Sequence, residues 1–210
     1  RLDHTAKLYH MISDPGQRRP VSREMHPEIA GQLAAAVKAH RETHMAGYYK
    51  DDRPFVIAHS GSPLTQLPAR DAKAHGTIKR SNRFPNCSYF RNWTKTDDKI
   101  TFAAEVATGG TYKVVLYYAA KEAGAKCELI FNDARLSFEI KEAHDVPELG
   151  AAQDHHPRAE SYVKDFKAGE IGQVRLQEGR GERTLRAIES PGKEAMEFRL
   201  LTLERIGEKS

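Results

Sequence analysis

Apolar and polar residues alternate along most of the second half of the chain, with the period of two that is typical of half-buried β-strands. The stretch TYKVVLYYA at 111–119 is rich in β-branched and aromatic residues, which favour strands. Eight such segments, bounded by Gly, Pro or charged residues, follow one another at nearly even spacing. The predicted strands are 100–106, 111–119, 127–132, 136–143, 161–166, 172–177, 184–188 and 195–206. This pattern predicts an antiparallel β-sandwich over residues 96–207, with a hairpin at Asp133-Ala134.

A different period appears earlier in the chain. Residues 27–45 contain no proline after the first position, and Ile29, Leu33 and Val37 recur at helical spacing. Pro27 suits the first turn of a helix, where its missing N–H removes no hydrogen bond. We therefore expect one helix in this stretch.

The remaining stretches are less regular. Residues 7–12 predict a short strand, and SDPG at 13–16 predicts a turn, because Asp caps, Pro fixes φ and Gly allows a positive φ. Residues 46–95 scatter Pro and Gly among Ser, Asn and Arg without a persistent period. They predict an irregular wrapping or linker segment with at most one short strand, at 54–59. The predicted organisation is therefore a short α/β piece with one helix at 1–45, the irregular segment at 46–95, and a mainly β sandwich at 96–207.

Composition and charge narrow the function classes. The 210 residues carry a formal net charge of +4, from 33 basic and 29 acidic side chains interleaved along the chain. Nucleic-acid binding needs basic charge concentrated on one face, so we expect no nucleic-acid partner. No apolar run approaches the length of a membrane span, so we expect no membrane partner. Two cysteines, Cys87 and Cys127, are too few for a disulfide framework and leave a single bridge open.

Three groups of residues resemble one known family. They are LYHMISDPG at 8–16 with HPEI at 26–29, LPARD at 67–71 with PNCSYFRNWT at 85–94, and GTYKVVLYY at 110–118 with ESYVKDFK at 160–167. Together they resemble the C-terminal part of bacterial type I sulfatases, the arylsulfatase family with an alkaline-phosphatase-like fold. His10 and Gln17 depart from the family pattern, which usually has Asp and Glu there. Because the chain begins at Arg1, we expect a processed chain or a piece of a longer protein.

The resemblance implies a division of roles. Residues 1–45 would be the last piece of the sulfatase domain, and residues 96–207 an appended galactose-binding-like sandwich of the jelly-roll type. Sulfatases hydrolyse sulfuric esters with a formylglycine, made from Cys or Ser in a C/S-x-P-x-R motif, and with a calcium ion held by Asp and Asn. Neither CSYFR at 87–91 nor SDPGQ at 13–17 satisfies this motif. We therefore expect calcium and formylglycine in a catalytic domain upstream, no catalytic or metal-binding residue in this chain, and no hydrolysis by it alone.

One group of side chains is a candidate for substrate binding. The resemblance places Arg70, Asp71 and His75 near the rim of the sulfatase pocket. The planar guanidinium of Arg70 could reach a sulfate or a sugar hydroxyl there. An Arg–Asp surface pair that orders a loop explains the same residues without any ligand.

Two further groups allow both a functional and a structural interpretation. The histidines and carboxylates at 144–156 could bind a metal ion or belong to a solvated loop. Aromatic residues such as Trp93 could stack on a sugar ring or pack in the core. Tyr112 and Tyr117 have opposite parity, so we expect them on opposite faces of their sheet.

Two function classes stay open. The first is the C-terminal part of a periplasmic or secreted sulfatase, whose sandwich packs on the catalytic domain and assists binding of a sulfated polysaccharide. The alternative is a stand-alone carbohydrate-binding or structural β-sandwich module.

Overall fold

The computed structural model describes residues 1–48, 51–160 and 162–206. In these residues one α-helix accompanies two six-stranded sheets and a small hairpin. The predicted class, a mainly β protein with an antiparallel sandwich and one helix, is confirmed. The chain divides into two compact units, of which the first ends at Arg53 and the second begins at Pro54. The sequence places its boundaries at residues 45 and 95 instead.

The helix lies in the first unit. Helix α1 spans Pro27–His40, and one π-helical turn, Arg41–Met45, continues it. Glu28 in the first turn and Lys38 in the last turn match the helix dipole. No helix among the described residues is long and apolar enough to cross a membrane.

The predicted strand at 7–12 is reduced to single bridges. Leu8 pairs with both Leu2 and Val21, and the chain then enters the predicted turn. The carboxylate of Asp14 holds this turn by accepting hydrogen bonds from the backbone N–H groups of Arg18 at 3.0 Å and Arg19 at 2.8 Å. A turn that begins so soon after Leu8 leaves too few extended residues for a ladder.

The second unit contains all the described strands. In chain order they are β1 Phe55–Ile57, β2 Leu64–Pro68, β3 Lys73–His75, β4 Lys79–Arg80, β5 Phe90–Arg91, β6 Lys99–Val106, β7 Gly110–Ala119, β8 Lys126–Phe131, β9 Ala134–Glu139, β10 Glu148–Leu149, β11 Val163–Lys164, β12 Lys167–Leu176, β13 Gly179–Glu189 and β14 Glu197–Arg205.

These strands form two sheets that share one core. The front sheet has the order β1-β6-β13-β8-β9, with β3 also paired to β6. The back sheet has the order β12-β7-β14-β5-β4, with β2 also paired to β14. Strands β10 and β11 form the separate hairpin. Among the described pairings only β1 with β6 is parallel.

The core follows directly from the alternation in the sequence. In β7 Tyr112, Val114 and Leu116 are buried, while the residues between them are partly exposed. Phe102 of the front sheet and Phe198 of the back sheet meet edge to face, with ring centroids 6.4 Å apart. Aromatic contacts of this kind, together with the buried aliphatic residues around them, hold the two sheets against each other.

Residues 46–95 differ from the predicted wrapping or linker segment. The expected strand at 54–59 exists as β1, but β2 to β5 follow it and join both sheets. Each of these strands has only two to five residues, too few for a period of two to be visible between prolines and glycines. From Pro54 onward the segment belongs to the sandwich, and Trp93 near its end is fully buried in the core.

Two turns in this segment are tied together by Asp98. Its buried carboxylate accepts hydrogen bonds from the backbone N–H of Thr77 at 2.7 Å and of Lys95 at 3.1 Å. Burial raises the pKa of Asp98, but these hydrogen bonds outweigh burial and hold the pKa below its ordinary value of 3.8. Gly76 lies directly beside it with a φ of 78°, a backbone conformation that favours glycine.

The later predicted strands are present, with altered ends. The hairpin at Asp133 is confirmed: β8 pairs with β9 across a turn in which Asn132 has a φ of 49°. The predicted strand 161–166 is reduced to β11, and Ser161 lies outside the described residues, as does residue 207. Both cysteines are free, Cys127 in the core and Cys87 half-buried.

Candidate ligand-binding site

A cup opens at one end of the sandwich, between the two sheets. We call it the end cup, and it has a volume of about 300 Å³. It is lined by Val106, Phe131, Asn132, Asp133, Ala134, Arg175, Leu176, Gln177, Glu178 and Arg183. These residues come from the ends of β6, β8 and β12, from the start of β9, from β13, and from the turns that follow β8 and β12.

Next to the cup, the first part of β13 has no side chains on its inner face. Residues 179, 181, 183, 185 and 187 alternate with exposed or half-exposed ones, and the last three of them are buried. Gly179 and Gly181 occupy the first two of these positions. A Cβ at residue 181 would lie 2.0 Å from Oδ1 of Asn132, so only glycine leaves room for that side chain.

Arg183 forms the floor of the end cup and is 1% exposed. Its Nη1 donates a hydrogen bond to Oδ1 of Asn132 at 3.1 Å, and its Cζ lies 4.9 Å from the ring centroid of Phe131. Its Nε is buried without a partner. Among the described residues no carboxylate forms an ion pair with it.

The environment of this guanidinium is therefore unfavourable for a charge. Burial lowers the pKa of Arg183 below its usual value, but a guanidinium stays protonated at neutral pH. A buried cation without a counter-ion costs several kcal/mol of desolvation that one neutral hydrogen bond does not offset. The floor of the cup is thus a positive centre with an unused N–H donor at Nε.

The rim carries groups of a different kind. Asn132 and Asp133 follow β8, and Gln177 and Glu178 follow β12; all four are exposed. Glu178 Oε1 accepts a hydrogen bond from the backbone N–H of Gly109 at 3.4 Å, which links two turns at this end. The rim therefore offers carboxylate and amide acceptors together with amide donors. Such a site can bind a small ligand that has many hydroxyl groups.

The residues predicted from the sequence lie elsewhere. Arg70 and Asp71 share a single helical turn between β2 and β3, where Arg70 Nε lies 3.5 Å from Asp71 Oδ2 in an exposed pair. His75 lies in β3, and its Nε2 is 2.9 Å from Oγ1 of Thr101. Arg70 and Asp71 thus contact each other as in the alternative interpretation, and none of the three lines the end cup. Their role in substrate binding stays a prediction.

The loop histidines make local contacts. Nε2 of His144 lies 2.5 Å from the backbone oxygen of Asp165, and Asp154 pairs with Arg158 at 2.8 Å. Within the described residues no group of three or more His, Cys, Asp or Glu side chains could hold a metal ion.

The aromatic residues mostly pack in the core. Trp93 and Tyr112 are buried there, and Tyr117 is half-buried on the opposite face of β7, as its parity predicts. Sequence reasoning missed Arg183, the residue on which the end cup depends. The signal was its position in phase with the inward-facing Gly179 and Gly181.

Comparison with known proteins gives structural similarity only. No protein-family model matches the chain, and no curated protein matches it significantly. A Podospora anserina GH26-CBM35 β-(1,4)-mannanase matches at 19% identity and a TM-score of 0.48, over 70% of this chain and 28% of the mannanase. A family 35 carbohydrate-binding module from Clostridium thermocellum matches at 13% identity and a TM-score of 0.47, over 68% of this chain and 98% of the module. The C-terminal CBM6 of the Zobellia galactanivorans laminarinase LamC matches at 9% identity and a TM-score of 0.43, over 68% of this chain and 99% of that module.

The matched region thus spans about a quarter of the length of the mannanase and nearly the whole length of the two separate modules. At TM-scores below 0.5 these similarities carry no functional inference for this chain.

Proposed function

We propose that the sandwich is a non-catalytic carbohydrate-binding module that binds a sugar in the end cup. The observation that carries this proposal is the combination of a small cavity, a buried guanidinium floor with an unused Nε donor, and a rim of amides and carboxylates. At an end of a sandwich without a binding site, side chains would fill this space.

The size and polarity of the cup both favour a sugar. A volume of about 300 Å³ lies at the lower end of the range for ligand pockets, which suits a single ring rather than a long chain segment. Each sugar hydroxyl both donates and accepts a hydrogen bond, and the rim supplies both kinds of partner from Asn132, Asp133 and Gln177. The similar structures described as carbohydrate-binding modules agree with this proposal without adding weight to it.

A glycan array probed with the full chain tests the proposal. We expect binding to a subset of glycans, and we expect Asn132→Ala and Gln177→Ala to weaken it by about tenfold each, as loss of a hydrogen bond in a desolvated site does. Gln173→Ala is the matched control, because Gln173 is an exposed glutamine of β12 that does not line the cup. Unchanged glycan binding by both cup variants would refute the proposed site, and no binding to any glycan would refute the function.

A second candidate function is the C-terminal part of a sulfatase, and the sparse core of the first unit favours it. Among the described residues of this unit only Leu8, Tyr9 and Ala30 are buried apolar residues. Ile29 and Val37 of α1 remain 52% and 39% exposed. An apolar groove runs beside them, lined by Arg1, Leu2, Leu33, Ala36, Val37, His40, Arg41 and Met45.

A helix with so little buried area needs a further surface to stabilise it. We propose that this surface is the sulfatase catalytic domain that the resemblance implies, in a periplasmic or secreted protein, with calcium and formylglycine in that domain. The coding sequence upstream tests this. A C/S-x-P-x-R motif there is the expected result, and an upstream domain of another class would refute the sulfatase assignment while leaving the carbohydrate-binding proposal intact.

A further inference from the structure

We propose that the end cup takes a sugar that carries an oxyanion, either a carboxylate or a sulfate ester, and seats this group against Arg183. The inference rests on the proposed sugar binding and adds the chemical class of the ligand.

The first argument compares the buried charges of the sandwich. Among the described residues Asp98, Glu128 and Arg183 are the buried charged side chains. Asp98 is surrounded by hydrogen-bond donors, and Glu128 Oε2 pairs with Arg135 at 3.2 Å and with Arg186 at 2.8 Å. Arg183 alone has neither a counter-ion nor a set of acceptors within the described part of the chain. The protein thus satisfies its other buried charges and leaves unpaired the one that lines a cavity.

The second argument is the shape of the guanidinium and its surroundings. A guanidinium has five N–H donors in one plane and binds carboxylate and sulfate oxygens through two parallel hydrogen bonds. In this chain one donor reaches Asn132 and the ring of Phe131 packs against the guanidinium, which fixes its plane. The absence of a Cβ at Gly181 leaves room for the Asn132 side chain beside the guanidinium, and Arg183 itself lines the end cup. A carboxylate or a sulfate presents two oxygens that can accept from two donors of one guanidinium. It therefore fits this arrangement better than a hydroxyl group, whose single oxygen accepts from only one donor at a time with good geometry.

The third argument concerns orientation. The acidic groups Asp133 and Glu178 are exposed on the rim, whereas Arg183 is buried at the floor. A ligand with its negative group inward and its hydroxyls outward meets an opposite charge at the floor and hydrogen-bond acceptors at the rim. The reverse orientation would place the negative group beside two carboxylates. The charge pattern therefore selects one direction of entry for a charged sugar.

Matched polysaccharide pairs test the inference with the full chain in affinity electrophoresis. Polygalacturonate is compared with its methyl ester for the carboxylate source, and a sulfated galactan with its desulfated form for the sulfate source. We expect at least one charged member to bind roughly tenfold or more tightly than its neutral partner, since hydrogen bonds to charged groups are about twice as strong as neutral ones. The pair that shows the preference identifies the anion.

The variants separate a specific site from general attraction to polyanions. Arg183→Gln should abolish the preference for the charged member. Arg180→Gln is the matched control, because Arg180 lies on the same strand, is exposed and pairs with Glu105 on the outer face; it should keep the preference. Gly181→Ala retains Arg183 but drives a Cβ into Asn132, so it should also lose the preference, and it serves if Arg183→Gln does not fold.

The outcomes distinguish this inference from the function on which it rests. Equal binding of charged and neutral members, or a preference that survives Arg183→Gln, would overturn the oxyanion assignment and leave sugar binding in place. Absence of binding to every member, together with an empty glycan array, would overturn both.

Discussion

Replacing Arg183 with Met should change the stability of the sandwich by no more than about 2 kcal/mol while removing a ligand-binding group. Met has a similar length and no charge, so it fills the same space without the desolvation cost. Replacing buried ionic groups by apolar ones of similar volume often stabilises proteins by roughly 1–4 kcal/mol. Against this gain stand the hydrogen bond to Asn132, about 1 kcal/mol, and the contact with the Phe131 ring, about 1–2 kcal/mol. Together these terms give a net change between a loss of about 2 kcal/mol and a gain of about 2 kcal/mol for the variant.

Urea denaturation measures this change, with the fluorescence of Trp93 as the signal. Trp93 is the single tryptophan of the chain and is buried in the sandwich core, so its fluorescence reports unfolding of this unit. A gain of 1 kcal/mol would raise the midpoint by about 0.3–1 M urea. A loss of more than about 2 kcal/mol in the Arg183→Met variant would refute the reasoning, because Arg183 would then be required for the stability of the fold.

Three further predictions concern stability and reactivity. Gly76→Ala should lower the free energy of unfolding by roughly 2 kcal/mol or more, because its Cβ would lie 1.8 Å from Oδ1 of Asp98. Gly61→Ala is the control. Equal urea midpoints for the two variants would contradict this prediction, because the structure would then have relieved the clash. Asp98→Asn should lower the free energy of unfolding most near neutral pH. The folded pKa of Asp98 is depressed, so the contribution of its carboxylate is complete above the ordinary pKa of 3.8 and is lost as the pH falls through the folded value. A stability difference between wild type and this variant that stays constant from pH 7 to pH 2 would contradict that assignment. Burial raises the pKa of Cys127 to about 12. In the native protein a thiol reagent at pH 8 should therefore modify the half-buried Cys87 first. Equal modification rates at the two thiols would refute the burial of Cys127.

The long strands could be predicted because each has enough residues for its period to be visible. The alternation in β7 and β13 fixes which side chains face the core, and the structure buries Tyr112 and Leu185 accordingly. The short strands β2 to β5 could not be predicted, because their pairing depends on partners far along the chain, such as β2 with β14. Tertiary pairing of this kind leaves almost no trace in a segment of two to five residues.

The end cup was harder to predict than the fold. Arg70, Asp71 and His75 stood out in the sequence through the resemblance to sulfatases, and the structure places them in a surface pair and a contact with Thr101. Arg183 stood out only as one of many charged residues. Its burial depends on the packing of two sheets and on Asn132, a residue that lies 51 positions away in the chain. The phase of Arg183 with Gly179 and Gly181 indicates that it faces inward, but no local pattern contains its contact with Asn132.

An NMR titration of the ¹⁵N-labelled chain tests sugar binding in the end cup most directly. The titrant is the glycan that binds best in the array, added to wild type and to Gly181→Ala. The account predicts that backbone signals of Asn132, Asp133, Gln177 and Glu178 shift together and saturably in wild type, and that the shifts vanish in the variant. Shifts confined to another surface, such as the exposed pair of Arg70 with Asp71, or shifts that persist in Gly181→Ala, would contradict it.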